Sequence, residues 1–199
     1  MTQRTFPVWD DLYRSGEVEK LPWYWPAIDP DLDAALAQHG IRSGRALDLG
    51  TGPGTQAIAL AERGFDVTAA DLSPAAIAYV ERNARERKLE LTLLVDDILE
   101  TKLTGRFDVI FDRGCFHVMP PEKRAGYVRN VEKLLAPQGW LFLKTFSHLQ
   151  PGEQGPYRFT MDEIRTCFSA LSVVEIKGTV YQGTLDPFPK ALFTTMRRL

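Results

Sequence analysis

The sequence predicts an α/β domain with a doubly wound, mostly parallel sheet. Three observations carry that expectation. Strand and helix signals alternate through the middle of the chain, the pattern of a parallel sheet covered on both faces. Acidic residues stand at the ends of successive strand segments, where sheets of this kind bind ligands. The first strand runs straight into "GTGPGT" (Gly50–Thr55). Three glycines in one turn cost backbone entropy, which makes sense where a ligand must come close.

Each element has its own signature. "RALDLG" (Arg45–Gly50) is a buried strand, and Thr55–Arg63 is a helix ended by Gly64. "FDVTAAD" is a second strand ending in Asp71. Ser73 caps the next helix, with Pro74 in the first turn, where its missing N–H costs nothing. Ile77, Val80 and Ala84 give that helix an apolar stripe. "LELTLLVDD" is a third strand and "FDVIFD" (Phe107–Asp112) a fourth. Between Glu122 and Leu135, Val128, Val131 and Leu135 follow helical spacing. "GWLFLKTF" (Gly139–Phe146) is a fifth strand, preceded by the turn "APQG". Thr160 and Glu163 form a capping box, with Ile164 and Phe168 on the buried face of the helix they start. "LSVVEIKG" and "KALFTTMRR" are two final strands with no helix signal between them. Seven strands are therefore expected, with a terminal hairpin and one antiparallel edge strand.

The 199 residues fit a single domain, with an aromatic-rich N-terminal segment over 1–28 and the sheet core over 29–199. A net charge of -2 gives no electrostatic reason to expect nucleic acid or an anionic membrane as partner. The two cysteines, Cys115 and Cys167, make neither a metal spacing nor a disulfide framework. No metal is expected, and a reducing compartment fits. "MTQRTFPVWDDLYR" contains no apolar run suited to a signal peptide, and no Gly follows Met1 for myristoylation. No apolar run reaches the length of a membrane span. The expectation is a soluble cytoplasmic protein, monomer or homodimer, with a small-molecule substrate.

The glycine loop excludes two common readings. Its pattern is G-x-G-x-G, with Thr55 where a dinucleotide fingerprint needs Gly or Ala. A phosphate-gripping loop needs a Lys, and none is near. Asp71 lies about 20 residues past Gly50, where a carboxylate can accept both hydroxyls of a ribose. Asp96 and Asp97 end the third strand and suit an adenine amino group. The ligand these positions describe is an adenosine whose 5′ end need not be a pyrophosphate.

"LDLGTGPGT", "VTAADLS", "LVDDI" and "FDVIFDRGCFHVMPPEKRAGYV…LLAPQGWLFLKTFS" together resemble the class I S-adenosylmethionine-dependent methyltransferases. "DRGCFHVMPPEKR" and "WDDLYRSG…PW" resemble its small-molecule branch, which includes thiopurine and tellurite-resistance methyltransferases. The resemblance runs from about Ala46 to Phe146, with a thinner match over Trp9–Trp25. It implies a Rossmann-like sheet, S-adenosyl-L-methionine as cofactor, and roles for matching positions. Gly50, Thr51, Gly52 and Gly54 would line the methionine and ribose part of the cofactor. Asp71, followed by Leu72, would hold the ribose diol. Asp97 and Ile98 would meet the adenine, although Asp-Asp stands where the family commonly has Gly-Asp, so Asp96 is also a candidate. Asp48 would support the loop, Asp112 and Arg113 would sit beside the methionine end and the substrate mouth, and Trp9, Tyr13 and Trp23 would form a lid.

Several residues carry two readings at this stage. Arg113, directly after a buried strand, must reach solvent, a carboxylate or a ligand; a structural ion pair and a substrate contact both fit. His117 fits a general base or a packed loop histidine. Cys115 reads as a small buried hydrophobe, and His148 as part of a loop over the site. Methyl transfer from a sulfonium needs alignment and a dry pocket more than a catalytic dyad. The expected acceptor is a thiol, a selenium or tellurium species, or a phenol or quinol hydroxyl. A nicotinamide-dependent oxidoreductase and a non-catalytic cofactor-binding module are the alternatives.

Overall fold

The computed structural model describes residues 4–199. Eight strands form one sheet: β1 (Arg45–Leu49), β2 (Asp66–Asp71), β3 (Thr92–Val95), β4 (Phe107–Arg113), β5 (Leu135–Ser147), β6 (Arg158–Phe159), β7 (Ser172–Val180) and β8 (Lys190–Arg197). Six α-helices accompany them: α1 (Trp9–Arg14), α2 (Pro30–Gln38), α3 (Thr55–Glu62), α4 (Pro74–Glu86), α5 (Pro121–Leu134) and α6 (Met161–Cys167). The strand order is β3-β2-β1-β4-β5-β8-β7, with the two-residue β6 paired alongside β5. Strands β1 to β6 pair in parallel, whereas β8 runs antiparallel to both β5 and β7. The strand order reverses between β1 and β4, which opens a crevice at their carboxyl ends.

The expected hairpin is present, but its placement differs. The antiparallel strand is β8, one position in from the edge, and β7 is the edge strand. Burial explains the exchange. Ala191 through Met196 are all buried in β8, while no residue of β7 is. The strand with the uncharged central run Ala191–Met196 takes the position paired on both sides, while β7 carries Glu175 and Lys177 in its middle. The fifth strand also begins at Leu135, where α5 ends, rather than at Gly139.

Alternation along the central strands feeds two core layers. Ile110, Leu141 and Leu143 point into the layer covered by α5 and α6, together with Tyr127, Ile164 and Phe168. Val109, Phe111 and Phe142 point to the opposite layer, with Leu32 of α2 and Ala57 and Leu60 of α3. Each such side chain buried from water stabilises the fold by roughly 1.5–3 kcal/mol. These layers hold rigid the strand ends from which the crevice is built.

A third, smaller cluster joins Tyr13, Val18 and Leu21 of the N-terminal segment to Ala76 of α4. Asp10 fixes that docking. Its carboxylate accepts from Ser73 Oγ and Ala75 N–H, both at 2.8 Å. The Ala75 N–H is the foremost of the contacts that hold its pKa down at about 2. Asp10 thus shares the N-terminus of α4 with Ser73, whose Oγ accepts from Ala76 N–H at 3.1 Å.

Candidate active site

The floor of the crevice is the turn after β1. Gly50, Gly52 and Gly54 have φ of 69°, 51° and 72°, the left-handed region that other residues enter at a cost. Space forbids side chains there as well. A Cβ on Gly50 would meet Cys115 Cβ at 2.9 Å, and one on Gly54 would meet Val80 Cγ2 at 2.4 Å. The N–H groups of Gly50 and Thr51 both donate to Ala70 O, at 2.9 and 3.0 Å. Beneath the turn, buried Asp48 accepts from Thr51 Oγ1 at 2.6 Å and Ala57 N–H at 3.0 Å. Burial pushes the Asp48 pKa up to about 6, against those two hydrogen bonds.

Asp71 stands at the end of β2 beside this turn. It accepts from Gly52 N–H at 2.8 Å and Ser73 N–H at 2.9 Å. A carboxylate has about four acceptor positions, so capacity is left for hydroxyls. Burial raises its pKa, and the Ser73, Gly52 and Leu72 N–H groups oppose that. Leu72 projects into the crevice with 57% of its surface exposed, an apolar face without a protein partner. The two acids after β3 are sorted by their hydrogen bonds. Asp96 is buried and accepts from Thr101 Oγ1 at 2.5 Å and Lys102 N–H at 2.7 Å. Asp97 is exposed, and one oxygen accepts from Leu99 N–H at 2.9 Å. Buried Ile98 forms the adjoining wall.

Asp112 and Arg113, expected beside the methionine end and the substrate mouth, are both held by protein groups. Asp112 is fully buried beneath the loop after β4 and does not line the crevice. Its oxygens accept from the N–H groups of Gly114, Cys115 and Phe116 at 2.8–2.9 Å, and from the Tyr127 hydroxyl. Four donors leave it nothing to offer a ligand, and burial raises its pKa to about 6. Arg113 reaches the crevice wall, but three of its N–H groups are taken. They go to Asp29 Oδ2 at 2.9 Å, Trp23 O at 2.9 Å and Gln182 O. Its guanidinium also lies 4.5 Å from the centre of the Tyr181 ring.

Arg113 belongs to a buried ionic cluster. Lys144 of β5, fully buried, donates to both oxygens of Asp29 at 2.7–2.8 Å, to Asp31 Oδ2 at 2.8 Å and to Gln182 Oε1 at 2.6 Å. Asp29 also caps α2, accepting from Asp31 N–H at 3.0 Å. The cluster ties the N-terminal segment, the middle of the sheet and the β7–β8 connection into one wall. Thr184 N–H adds a hydrogen bond to Pro22 O at 3.2 Å.

The crevice belongs to one cavity of about 930 Å³ that runs from the glycine turn past Arg113 to His117, Phe146, Tyr181 and the 150–156 loop. Trp9, Tyr13 and Trp23 line it from the N-terminal segment, with Phe6 beside them. Tyr13 OH accepts from Trp23 Nε1 at 3.0 Å and lies 2.6 Å from where a Gly52 Cβ would be. His117 is buried, its ring stacked on Tyr181 with centroids 5.4 Å apart. Burial, aided by the charge of Arg113, pushes its pKa down to about 3. Burial likewise pushes the Cys115 thiol up. His148 is exposed and lies outside the lining, although the loop that follows it lines the cavity.

Sequence reasoning missed Asp29, Lys144, Phe146, Tyr181 and Gln182. Only Lys144 left a signal: a lone charge inside the apolar run "LFLKTF" must find a buried partner. Among the described residues, no cluster of three or more His, Cys, Asp or Glu is arranged to hold a metal, and no helix is long and apolar enough to cross a membrane.

The chain is similar to known methyltransferases. A family model described as a methyltransferase domain matches residues 46–139. The chain is 32% identical over 183 residues to a 2-heptyl-1-hydroxyquinolin-4(1H)-one methyltransferase of Mycobacteroides abscessus, covering 88% of this chain and 80% of that protein. It is 28% identical to a thiopurine S-methyltransferase of Legionella pneumophila, covering 84% and 82%. Among solved structures, a 1,6-didemethyltoxoflavin-N1-methyltransferase of Burkholderia thailandensis superposes with a TM-score of 0.73 at 23% identity, covering 94% of this chain and 84% of that one.

Proposed function

The chain belongs to the class I S-adenosylmethionine-dependent methyltransferases, and from that premise we propose that it methylates a thiol or hydroxyl carried on a flat, aromatic small molecule. Family membership answers the nicotinamide alternative, which also lacked its glycine fingerprint. One observation carries the reading: a left-handed glycine turn and a neighbouring carboxylate open onto a cavity that extends well past them.

The residues at the β1–β3 end suit S-adenosyl-L-methionine. Gly50 and Gly52 line the cavity with backbone, and Gly54, where a Cβ would meet Val80, lets the turn pack closely behind them. Asp71 has acceptor capacity left for the ribose hydroxyls. Leu72 and Ile98 offer apolar surface to the adenine, and Asp97, with one oxygen engaged by Leu99 N–H where both of Asp96's are engaged, offers its other oxygen as an acceptor to the amino group. When bound, the cofactor supplies a methyl group on a sulfonium, already activated for in-line displacement. The protein supplies alignment, which can lower the barrier by on the order of 7 kcal/mol, and a dry pocket. Trp9, Tyr13 and Trp23 close that pocket, and their ring faces favour a cation.

Phe6, Phe146 and Tyr181 line the remainder and suit a planar acceptor. The names borne by the quinolone and thiopurine methyltransferases support the same substrate class. A net charge of -2 supports a small molecule over nucleic acid, and the two free cysteines support a reducing compartment such as the cytoplasm. Titration calorimetry with S-adenosylhomocysteine tests the cofactor reading. Binding is expected for the wild type and should weaken about 10- to 100-fold in Asp71→Ala, the range for losing hydrogen bonds to a charged acceptor. Equal affinity in both proteins would remove Asp71 from the site. Mass spectrometry of a panel of thiophenols, thiopurines, hydroxyquinolones, selenite and tellurite tests the acceptor; no methylated product from any of them would favour a non-catalytic binding module.

A further inference from the structure

The acceptor end of the cavity contains a histidine whose ring is held in one tautomer. The backbone N–H of Phe146 donates to His117 Nδ1 at 3.2 Å. A nitrogen that accepts cannot carry the proton, so the neutral ring is protonated on Nε2. Nε2 itself makes no hydrogen bond among the described residues. Nor is it one of the sealed, unpartnered polar atoms, which are Trp25 Nε1, Thr145 Oγ1 and Thr194 Oγ1. It therefore opens onto the cavity that His117 lines. The ring cannot swing away, since it is stacked on Tyr181 and edge-on to Phe146, at centroid distances of 5.4 and 5.1 Å.

Resting on the methyltransferase reading above, we propose that His117 is a fixed hydrogen-bond donor to the acceptor, and that the site takes its acceptor as a pre-formed anion, a thiolate or an acidic aromatic oxyanion. A base at this position would have to receive a proton on the nitrogen it presents, and that nitrogen already bears one. The charged and titratable groups around the ring agree. Arg113 faces it as a cation, Tyr181 stacks on it with its hydroxyl donated to Arg113 O, and Tyr157 N–H binds its backbone carbonyl. Among the described residues, no carboxylate is hydrogen-bonded to the ring to favour an imidazolium. The step then balances without a proton acceptor. The acceptor's lone pair forms the bond to the methyl carbon, and the carbon–sulfur pair leaves on sulfur. Anion and sulfonium become two neutral products.

Three measurements test this in the 199-residue chain with saturating S-adenosylhomocysteine or cofactor. Nitrogen-15 NMR of the wild type should show His117 as the neutral Nε2–H form from pH 5 to 8; titration in that range, or an Nδ1–H ring, would overturn the assignment. The visible band of 4-nitrothiophenol should report that the cavity binds the thiolate and lowers the thiol's pKa. Failure to bind, or binding of the neutral thiol, would overturn the anion claim. In His117→Gln the amide can still donate near the Nε2 position, whereas His117→Leu cannot. Thiolate affinity should fall about 10- to 100-fold in His117→Leu and within about 10-fold in His117→Gln. Equal losses in the two would point to a base or a packing role. S-adenosylhomocysteine affinity serves as the control. Its loss in both variants sends the decision to the wild-type measurements, and its absence in the wild type sinks the cofactor reading itself.

Discussion

From Gly50 to Ile98 the cavity is shaped by the main chain of three turns, with Asp71, Leu72 and Ile98 beside it, and from Arg113 to Pro189 it is shaped by side chains gathered from distant parts of the sequence. The first half consists of two strand-to-helix turns and one strand-to-loop turn. Its critical feature is the absence of side chains at Gly50, Gly52 and Gly54, and its carboxylate Asp71 sits only 19 residues from the Gly52 N–H it accepts. The second half depends on pairs 84 and 115 residues apart, Arg113–Asp29 and Lys144–Asp29. Both halves end as walls of one cavity, yet the first is set by local backbone geometry and the second by buried electrostatics.

Removing Lys144 should have the largest effect of any change that separates the halves. Lys144→Ala leaves Asp29 and Asp31 with an unpaired share of buried negative charge, and breaking such a pair costs about 3–5 kcal/mol. Denaturant unfolding measures this directly. A loss under about 1 kcal/mol would mean that the ionic cluster is not what holds the acceptor half. The next effect is on pH dependence. His117 has a folded pKa of about 3 against an ordinary 6.5. The unfolded chain takes up a proton there below pH 6.5 and the folded chain does not, so this contribution to stability is full above 6.5 and drains away as pH falls towards 3. Asp48 and Asp112, raised to about 6, act in the opposite sense, being most favourable below 3.8 and fading as pH rises through 6. Comparing wild type with His117→Gln cancels the aspartates. The wild type should lose about 2 kcal/mol relative to that variant between pH 7 and pH 5. A constant difference would show that His117 is not held neutral.

The smallest effect probes the main-chain half. Gly52→Ala places a methyl in the left-handed region, a cost of roughly 1–2 kcal/mol, and 2.6 Å from Tyr13 OH. Cofactor-product affinity should fall about tenfold, and Tyr13→Phe in the same chain should restore part of it by removing the oxygen the methyl meets. If Gly52→Ala binds normally, the turn tolerates side chains and the contrast between the halves weakens.

That contrast also sets what the sequence could reveal. The glycine turn, Asp71 and the capping pair Thr160–Glu163 were legible because each is written within a few residues of its effect. The sheet was legible because alternation and length persist however strands pair. The position of β8 was not, since pairing order depends on which strand buries better. Asp112 looked like a site residue because it ends a strand; only tertiary structure brings Tyr127 to saturate it. Arg113 likewise fitted either of two roles until Asp29 and Gln182 were placed beside it. Asp96 and Asp97 could not be told apart until Thr101 and Lys102 engaged one and left the other.

The interior placement of β8 has a bearing on how the molecule comes into being. Strand β7 is made before β8 but has no neighbour other than β8, so it must wait as an unpaired edge until the later strand slides in beside β5. By then β1 to β3 and the glycine turn already have every partner they need. A nascent chain could therefore possess a place for the methyl donor before it possesses a wall against which to present the recipient.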